Sequence, residues 1–116
     1  MSQRVQVDRF PGRTTAQSGA NAAQTVSTPT GDVRRLLFVT VKYSGAPTHA
    51  GVTVTLNSGA GSAYDTLLAT GSANAQNTLY IPDEEILILS DDVIDVAAPA
   101  GGGALTSAVA IYTETL

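Results

Sequence analysis

Residues 34–43 read RRLLFVTVKY, and the alternation of apolar side chains in this stretch decides the fold class. Successive side chains of an extended chain point to opposite faces, so a period of two predicts a β-strand. One predicted face is wholly apolar, and the other mixes apolar and polar residues. The first face would hold Leu37, Val39, Val41 and Tyr43, and the second Leu36, Phe38, Thr40 and Lys42.

The same period recurs through the rest of the chain, with Gly, Ser, Asn and Pro between the alternating runs. Several short strands at intervals of about 8–12 residues predict an all-β antiparallel β-sandwich that is jelly-roll-like. No run indicates the crossover helices that a parallel sheet needs. The further predicted strands lie at residues 51–57, 64–70, 78–81, 85–90, 93–98 and 105–116.

Residues 82–95, PDEEILILSDDVID, place six carboxylates around the run Ile86–Leu89. This run is apolar on both predicted faces, which is typical of a strand buried between layers. Asp and Ser stabilise tight turns through hydrogen bonds to nearby backbone. We therefore interpret the acids as the polar ends of a buried strand, and Asp91, Asp92 and Asp95 as a candidate acidic contact surface.

The two signs of charge are separated along the chain. Residues 1–42 hold all six basic side chains and two acids, a balance of +4, whereas residues 43–116 hold eight acids and no Lys or Arg, a balance of −8. Such asymmetry indicates an interaction segment.

Residues 1–33 are predicted to form an extended N-terminal arm, followed by the β-sandwich domain at residues 34–116. Residues 11–32 are small and polar and lack a period of 2 or 3.6, so alone they bury too little apolar surface to fold. The alternatives are a disordered tail and an arm that orders on a neighbouring subunit. Arginine favours the second, because its planar fork binds carboxylates in pairs. The expected contact residues are Arg4, Val5, Val7, Arg9, Phe10 and Arg13.

Composition narrows the chemistry further. The chain has no Cys, which excludes a disulfide framework and thiol catalysis. It has no apolar run long enough for a membrane span and no apolar start typical of a signal peptide. We expect a protein that is made and used without export, with no membrane partner.

Motifs for catalysis, cofactors and metals are missing from the sequence. His49 is the only histidine, and we expect it to be solvated in a loop. The spacing of Asp91, Asp92 and Asp95 lacks the central Gly and terminal Glu of an EF-hand, although a calcium site built from two loops stays an alternative. A region at −8 repels DNA. The expectation is no enzyme, no cofactor, no metal and no nucleic acid, with a small β-fold enzyme as the weakest alternative.

Two segments of the sandwich carry a resemblance to a known group of proteins. Residues 90–96, SDDVIDV, and residues 107–112, SAVAIY, together with the arm, resemble small jelly-roll accessory proteins of tailed-bacteriophage virions, in particular capsid decoration proteins. This resemblance implies a structural protein in the virion, assembled in the host cytoplasm, that binds other capsid or virion proteins and is a homo-oligomer, with a trimer as the expected state.

Function is therefore expected to be binding without catalysis, on the surface of a phage particle, for capsid decoration or stabilisation or as a head-neck accessory. The main alternative is a glycan-binding or adhesive β-sandwich module displayed on a particle surface. That module would use exposed tyrosines among Tyr43, Tyr64, Tyr80 and Tyr112, together with the acidic loops. Fold alone does not decide between the two functions, since β-sandwiches serve both.

Overall fold

The structure, a computed structural model, describes residues 11–116 and contains two antiparallel sheets packed face to face. This confirms the predicted all-β sandwich. Within the described range no helix is long and apolar enough to cross a membrane. In chain order, the strands are β1 (Pro11–Gln17), β2 (Gln24–Ser27), β3 (Arg34–Tyr43), β4 (Thr53–Asn57), β5 (Thr66–Thr70), β6 (Asn77–Tyr80), β7 (Leu87–Ile88), β8 (Val93–Ala98) and β9 (Ser107–Thr115), with one 3₁₀ turn at Ser62–Tyr64.

Sheet A has the order β1-β9-β3-β6, with β7 also paired to β3, and sheet B has the order β2-β8-β4-β5. If the two-residue β7 is set aside, eight strands remain and pair first with last, second with seventh, third with sixth and fourth with fifth. This nested pairing is that of a jelly roll, in which one long antiparallel ribbon wraps into two sheets.

β1 and β2 show that the predicted boundary after residue 33 is misplaced. β1 pairs with β9 over seven residues, and β2 pairs with β8 over four. Both are edge strands joined to the sandwich mainly by backbone hydrogen bonds, so they need few apolar side chains; Val26 is the one member of the core that they supply. Residues 11–33 are therefore part of the sandwich, and only residues 1–10 lie outside the described residues.

Between the sheets lies a core of branched aliphatic side chains and one aromatic ring. Ile94, Val96 and Ile111 are fully buried, and Tyr43 is buried with 1% of its surface exposed. β9 follows the predicted alternation, with Ser107, Val109, Ile111 and Thr113 pointing inward. The inward faces of β4 and β8 are likewise as the period of two predicts.

β3 differs from its prediction at one point. Leu36 pairs with Thr113 and Phe38 with Tyr112, so Leu37 is an extra residue in a β-bulge. The bulge reverses the alternation, and Leu36 rather than Leu37 enters the core. Beyond the bulge, Phe38, Thr40 and Lys42 face outward as predicted.

The run 86–89 differs more strongly from its prediction. β7 is only two residues long and lies at the edge of sheet A, paired with Arg34 and Arg35. Ile88 is buried, but Leu87 is 41% exposed and Leu89 is 55% exposed. The run is not sandwiched between layers, because no part of the described chain covers the outward face of sheet A at this edge.

Gly51 is held where the β3–β4 loop meets the start of the β5–β6 loop. Its φ is +127°, and a Cβ there would lie 2.5 Å from the Gly71 carbonyl oxygen. We expect Gly51→Ala to cost about 1–3 kcal/mol of unfolding free energy, because it adds an unfavourable backbone conformation to a backbone clash. Urea unfolding followed by circular dichroism measures this.

Gly19→Ala is the matched control, since its Cβ would have no atom within 4 Å and its φ is not positive. Equal stability of the two variants would contradict the assignment of Gly51 as a conformational requirement.

Candidate interaction surface

Alternate loops of a jelly roll lie at opposite ends of the sandwich, and here the two ends differ in charge. The loops β1–β2, β3–β4, β5–β6 and β8–β9, at residues 18–23, 44–52, 71–76 and 99–106, contain no Asp, Glu, Lys or Arg. We call this the uncharged end. The other end, the acidic end, is formed by the remaining loops and the start of β8 and end of β9. Nine of the ten acids lie there or in the adjacent half of the strands, the tenth being Asp8.

The uncharged end is closed by hydrogen bonds between its loops. Ser18 N donates to the Ser107 carbonyl at 2.9 Å, Thr48 N to the Gly101 carbonyl at 2.9 Å, and Asn74 N to the His49 carbonyl at 2.9 Å. These bonds join loops from both sheets, so this end has a fixed shape.

His49 is buried at the uncharged end, which corrects the expectation of a solvated loop histidine. Its ring stacks on Tyr43 with 4.8 Å between centroids. Gly51 N donates to His49 Nδ1 at 3.0 Å, and Nε2 lies 2.9 Å from the Ala75 carbonyl oxygen. Since Nδ1 accepts, Nε2 carries the proton and donates it to Ala75. Both ring nitrogens are used to hold loops together, which is a structural role.

The three aspartates of the predicted acidic contact surface lie near one another at the acidic end, in different settings. Asp91 is exposed, and Asp92 accepts a hydrogen bond from Gly59 N at 2.8 Å. Asp95 lies on the outward face of sheet B, where it accepts from Asn57 Nδ2 at 2.9 Å and from Ser27 Oγ. Asp95 thus links β2, β8 and the end of β4, which explains a carboxylate in mid-strand.

We expect Asp95→Ala to lower the free energy of unfolding by about 1 kcal/mol, because it removes two charge-assisted hydrogen bonds that join three strands. Asp91→Ala is the control and should leave stability nearly unchanged, as its side chain is exposed. Thermal unfolding of the two variants at neutral pH measures the difference. A larger loss for Asp91→Ala would contradict this assignment.

A shallow groove runs beside these acids, between residues 58–60 and residues 89–92, with a volume of about 370 Å³. Asp65 accepts from Ser58 N at 2.8 Å at its border. Tyr64, next in sequence, is 67% exposed. Among the described residues no group of three or more His, Cys, Asp or Glu side chains is arranged to hold a metal ion.

The tyrosines are divided between the core and the surface. Tyr43 is buried and its hydroxyl donates to the Pro99 carbonyl at 2.7 Å. Tyr80 is half-buried and packs against the core. Both of these rings face the core, which leaves Tyr64 and the outward-facing, half-buried Tyr112 for sugar binding. Burial raises the pKa of Tyr43, and burial followed by the charge of Asp83 raises the pKa of Tyr80.

The raised pKa of Tyr43 predicts a loss of stability in alkali. The folded protein keeps the Tyr43 phenol neutral to a higher pH than the unfolded chain does. The contribution of this phenol to the free energy of unfolding is therefore fully present below pH 10.0, the ordinary pKa of tyrosine. It is lost as pH rises through the raised pKa. Melting temperatures between pH 7 and 12 measure this.

Tyr43→Phe is the control for the alkaline transition. It should be less stable at pH 7 by about 1 kcal/mol, because the bond to Pro99 is lost, yet fall less steeply in alkali. If the melting temperature of Tyr43→Phe falls in alkali as steeply as that of the parent protein, groups other than Tyr43 cause the loss of stability.

Most of the exposed large apolar side chains lie on or directly beside the strands of sheet A. Eight large apolar side chains are exposed among the described residues. Six of them lie in β6 or β7, or directly next to an end of β3, β6, β7 or β9. We call these six the apolar strip. They are Val33, Leu79, Ile81, Leu87, Leu89 and Leu116.

Strand register places Leu79 and Leu87 on the edge strands of this sheet, whereas Val33 and Leu116 lie at the ends of the central strands β3 and β9. Leu79 lies opposite Thr40, and Leu87 lies opposite Arg35. Leu116 N donates to the Val33 carbonyl at 3.1 Å, which joins the two residues of the strip that lie at the acidic end. Phe38 and Tyr112 continue the apolar surface onto the central strands, with stacked rings 4.2 Å apart. An exposed apolar surface of this extent is typical of an interaction site.

Charged groups lie within and beside the apolar strip, since Arg35 is opposite Leu87 on one side and opposite Glu114 on the other. Arg35 donates to Glu114 at 2.8 Å and to Glu85 at 3.0 Å, and both acids raise the pKa of the guanidinium. Asp83 and Glu84 are exposed beside Glu85, and neither is in an ion pair within residues 11–116. The strip therefore borders two carboxylates available for an outside cation.

Of the predicted arm contacts, the described range includes only Arg13, which is exposed on β1. Arg4, Val5, Val7, Arg9 and Phe10 lie outside the described residues, so their role stays a prediction. The apolar strip was missed from the sequence. The signal for it is the run 86–89, which has leucines on its second face and which the sequence predicts to be buried.

No protein-family model and no curated protein matches the sequence. Solved structures do resemble the chain. The capsid structure of the Helicobacter pylori bacteriophage KHP30 is 12% identical, with a TM-score of 0.56 over 90% of this chain and 86% of that one. Chitosan-binding module 1 of a Paenibacillus sp. IK-5 chitosanase/glucanase is 10% identical, with a TM-score of 0.54 over 90% and 94% of the two chains.

The family 32 carbohydrate-binding module of C. perfringens NanJ, in complex with galactose, is 15% identical, with a TM-score of 0.52 over 86% of this chain and 93% of that one. At these identities the likeness establishes a shared β-sandwich fold. Structural neighbours of this chain thus include binding modules and a phage capsid structure.

Proposed function

We propose that this protein is a structural subunit of a phage particle, which decorates or stabilises the capsid or serves at the head-neck region, and works by binding without catalysis. The observation that carries the proposal is the apolar strip of sheet A. Six exposed large apolar side chains along one sheet are unfavourable in a free monomer and favourable in an interface.

Three further features support an assembly role. The similarity to the KHP30 capsid structure covers 90% of the chain, so a sandwich of this form is compatible with a virion. Both ring nitrogens of His49 are engaged in holding loops, which leaves the sole histidine with a structural task. The acidic end stays hydrated and discourages association of copies through that end, because like charges repel.

Immunogold labelling of purified particles tests the proposal directly. Particles from a lysate that contains this protein should carry the label on their surface, in a regular pattern. Leu79→Asp in the full chain should reduce the copies per particle at least tenfold, because it places a charge in the interface, as measured by quantitative mass spectrometry.

Leu67→Asp is the matched control. Leu67 is 59% exposed, close to the 62% of Leu79, but lies on the outward face of sheet B. Its copies per particle should match the parent protein. Absence of the label from particles would overturn the proposed function, and equal loss in both variants would remove the apolar strip from it.

Glycan binding is the second candidate, and the groove at residues 58–60 and 89–92 favours it. Asp91 and Asp92 line this groove, Asp65 accepts a hydrogen bond from Ser58 N at its border, and Tyr64, adjacent to Asp65 in sequence, is exposed. Carboxylates beside an aromatic ring suit a sugar that carries amino groups, and a chitosan-binding module is among the structural neighbours. A glycan array with chitosan oligomers and galactosides tests this; saturable binding lost in Tyr64→Ala would favour the module.

A further inference from the structure

Two parts of this chain are complementary in length, apolarity and charge. One is the apolar strip with the adjacent Asp83 and Glu84. The other is the segment before β1, residues 3–10, QRVQVDRF. We propose that residues 3–10 of a neighbouring copy bind along the apolar strip of sheet A. This inference rests on the proposed assembly role and names the partner of that surface.

Length is the first point of agreement. The strip extends along β3 from Thr40, opposite Leu79, to Val33, beside Leu116. Residues 33–40 of this chain, eight residues in all, therefore define the length of the strip, which is roughly 23 Å at the rise of a β-strand. Residues 3–10 are also eight residues, so in extended form they span the same distance.

Side-chain pattern is the second point. In an extended segment Val5, Val7 and Arg9 project to the same side. Val5 and Val7 would cover leucines of the strip, and Arg9 would follow at its border. Burial of apolar surface stabilises such a contact by roughly 25 cal/mol per Å².

Charge is the third point. Residues 1–10 hold Arg4 and Arg9 against Asp8, whereas the acidic end holds a large excess of carboxylates. Asp83 and Glu84 are exposed and outside the ion pairs of the described chain, so they are available to an arginine fork. Lys42, the cation of sheet A toward the uncharged end, lies opposite Asn77 and away from these acids.

The position of β1 assigns the segment to a neighbour rather than to its own chain. β1 is the outermost strand of sheet A on the side opposite β6 and β7, with β9 and β3 between them. Pro11 opens β1 opposite Glu114. Three inter-strand steps of about 4.8 Å separate β1 from β6 and β7, so within one chain residues 3–10 would have to cross the sheet first and could not also extend along the whole strip.

Disulfide trapping between two differently sized copies tests this contact. The chain has no cysteine, so every disulfide is an introduced one. A tagged Val7→Cys protein is mixed with untagged Leu87→Cys protein, and the mixture is oxidised mildly at a defined total concentration. We expect a covalent heterodimer on a non-reducing gel, in at least tenfold excess over the control pairing.

The control pairing replaces Leu87→Cys by Leu67→Cys, which is at least as exposed but lies on sheet B. Arg9→Glu in the tagged copy should lower the heterodimer yield, and Glu84→Arg in the other copy should restore it. Equal yields for Leu87 and Leu67 would overturn the proposal. So would a Val7→Cys, Leu87→Cys double variant that closes its disulfide only within one chain.

This result is independent of the particle experiment, because it uses purified protein alone. If the protein is absent from particles but still forms the heterodimer, the contact between copies is supported and the proposed virion function is wrong. If particles carry the label but the purified protein forms no heterodimer, the virion function is supported and the proposed contact is wrong.

Discussion

The antiparallel pairing of β3 with β9 is the interaction on which the rest of the sandwich depends. These two central strands of sheet A carry β1 on one side and β6 and β7 on the other. They also supply inward side chains from Leu36 to Ile111 that form half of the core. The paired residues are separated by about 64–81 positions in sequence, from Tyr43↔Ser107 to Arg34↔Thr115, so the pairing closes nearly the whole chain into one ribbon. Because both partners are central, no other strand of sheet A forms its full set of hydrogen bonds without them.

The nested ribbon has a consequence for charge. Loops alternate between the two ends of a jelly roll, so acids that are scattered along the chain converge at one end when they occur in alternate loops. Here the loops of the uncharged end join through backbone hydrogen bonds and the buried His49, whereas the acidic end holds hydrated carboxylates. The outward face of sheet A is different again, since it combines apolar side chains with a few charges. Each region has a distinct cost of desolvation, and the apolar strip has the lowest.

Much of the fold was predictable, because a period of two over several residues leaves little choice of structure. β3, β4, β8 and β9 all lie where their alternation placed them. β1 and β2 were not recognised as strands, since an edge strand is held by backbone bonds and needs few apolar residues; Val26 was the one apolar signal in β2. The bulge at Leu37 could not be predicted either, because the four consecutive apolar residues 36–39 fit either register equally well.

For the candidate surface, the sequence by itself determined the charge excess, the lack of thiol chemistry, and the presence of more apolar residues at 86–89 than one face of a strand requires. The positions of these additional apolar side chains depend on the packing of the strands. Leu87 and Leu89 are exposed because β7 lies at a sheet edge, whereas Ile88 between them is buried. The physical reason is that the hydrophobicity of a side chain favours its removal from water but does not specify the surface against which it packs. That surface is chosen by strand order, and strand order arises from hydrogen bonds between residues far apart in the chain.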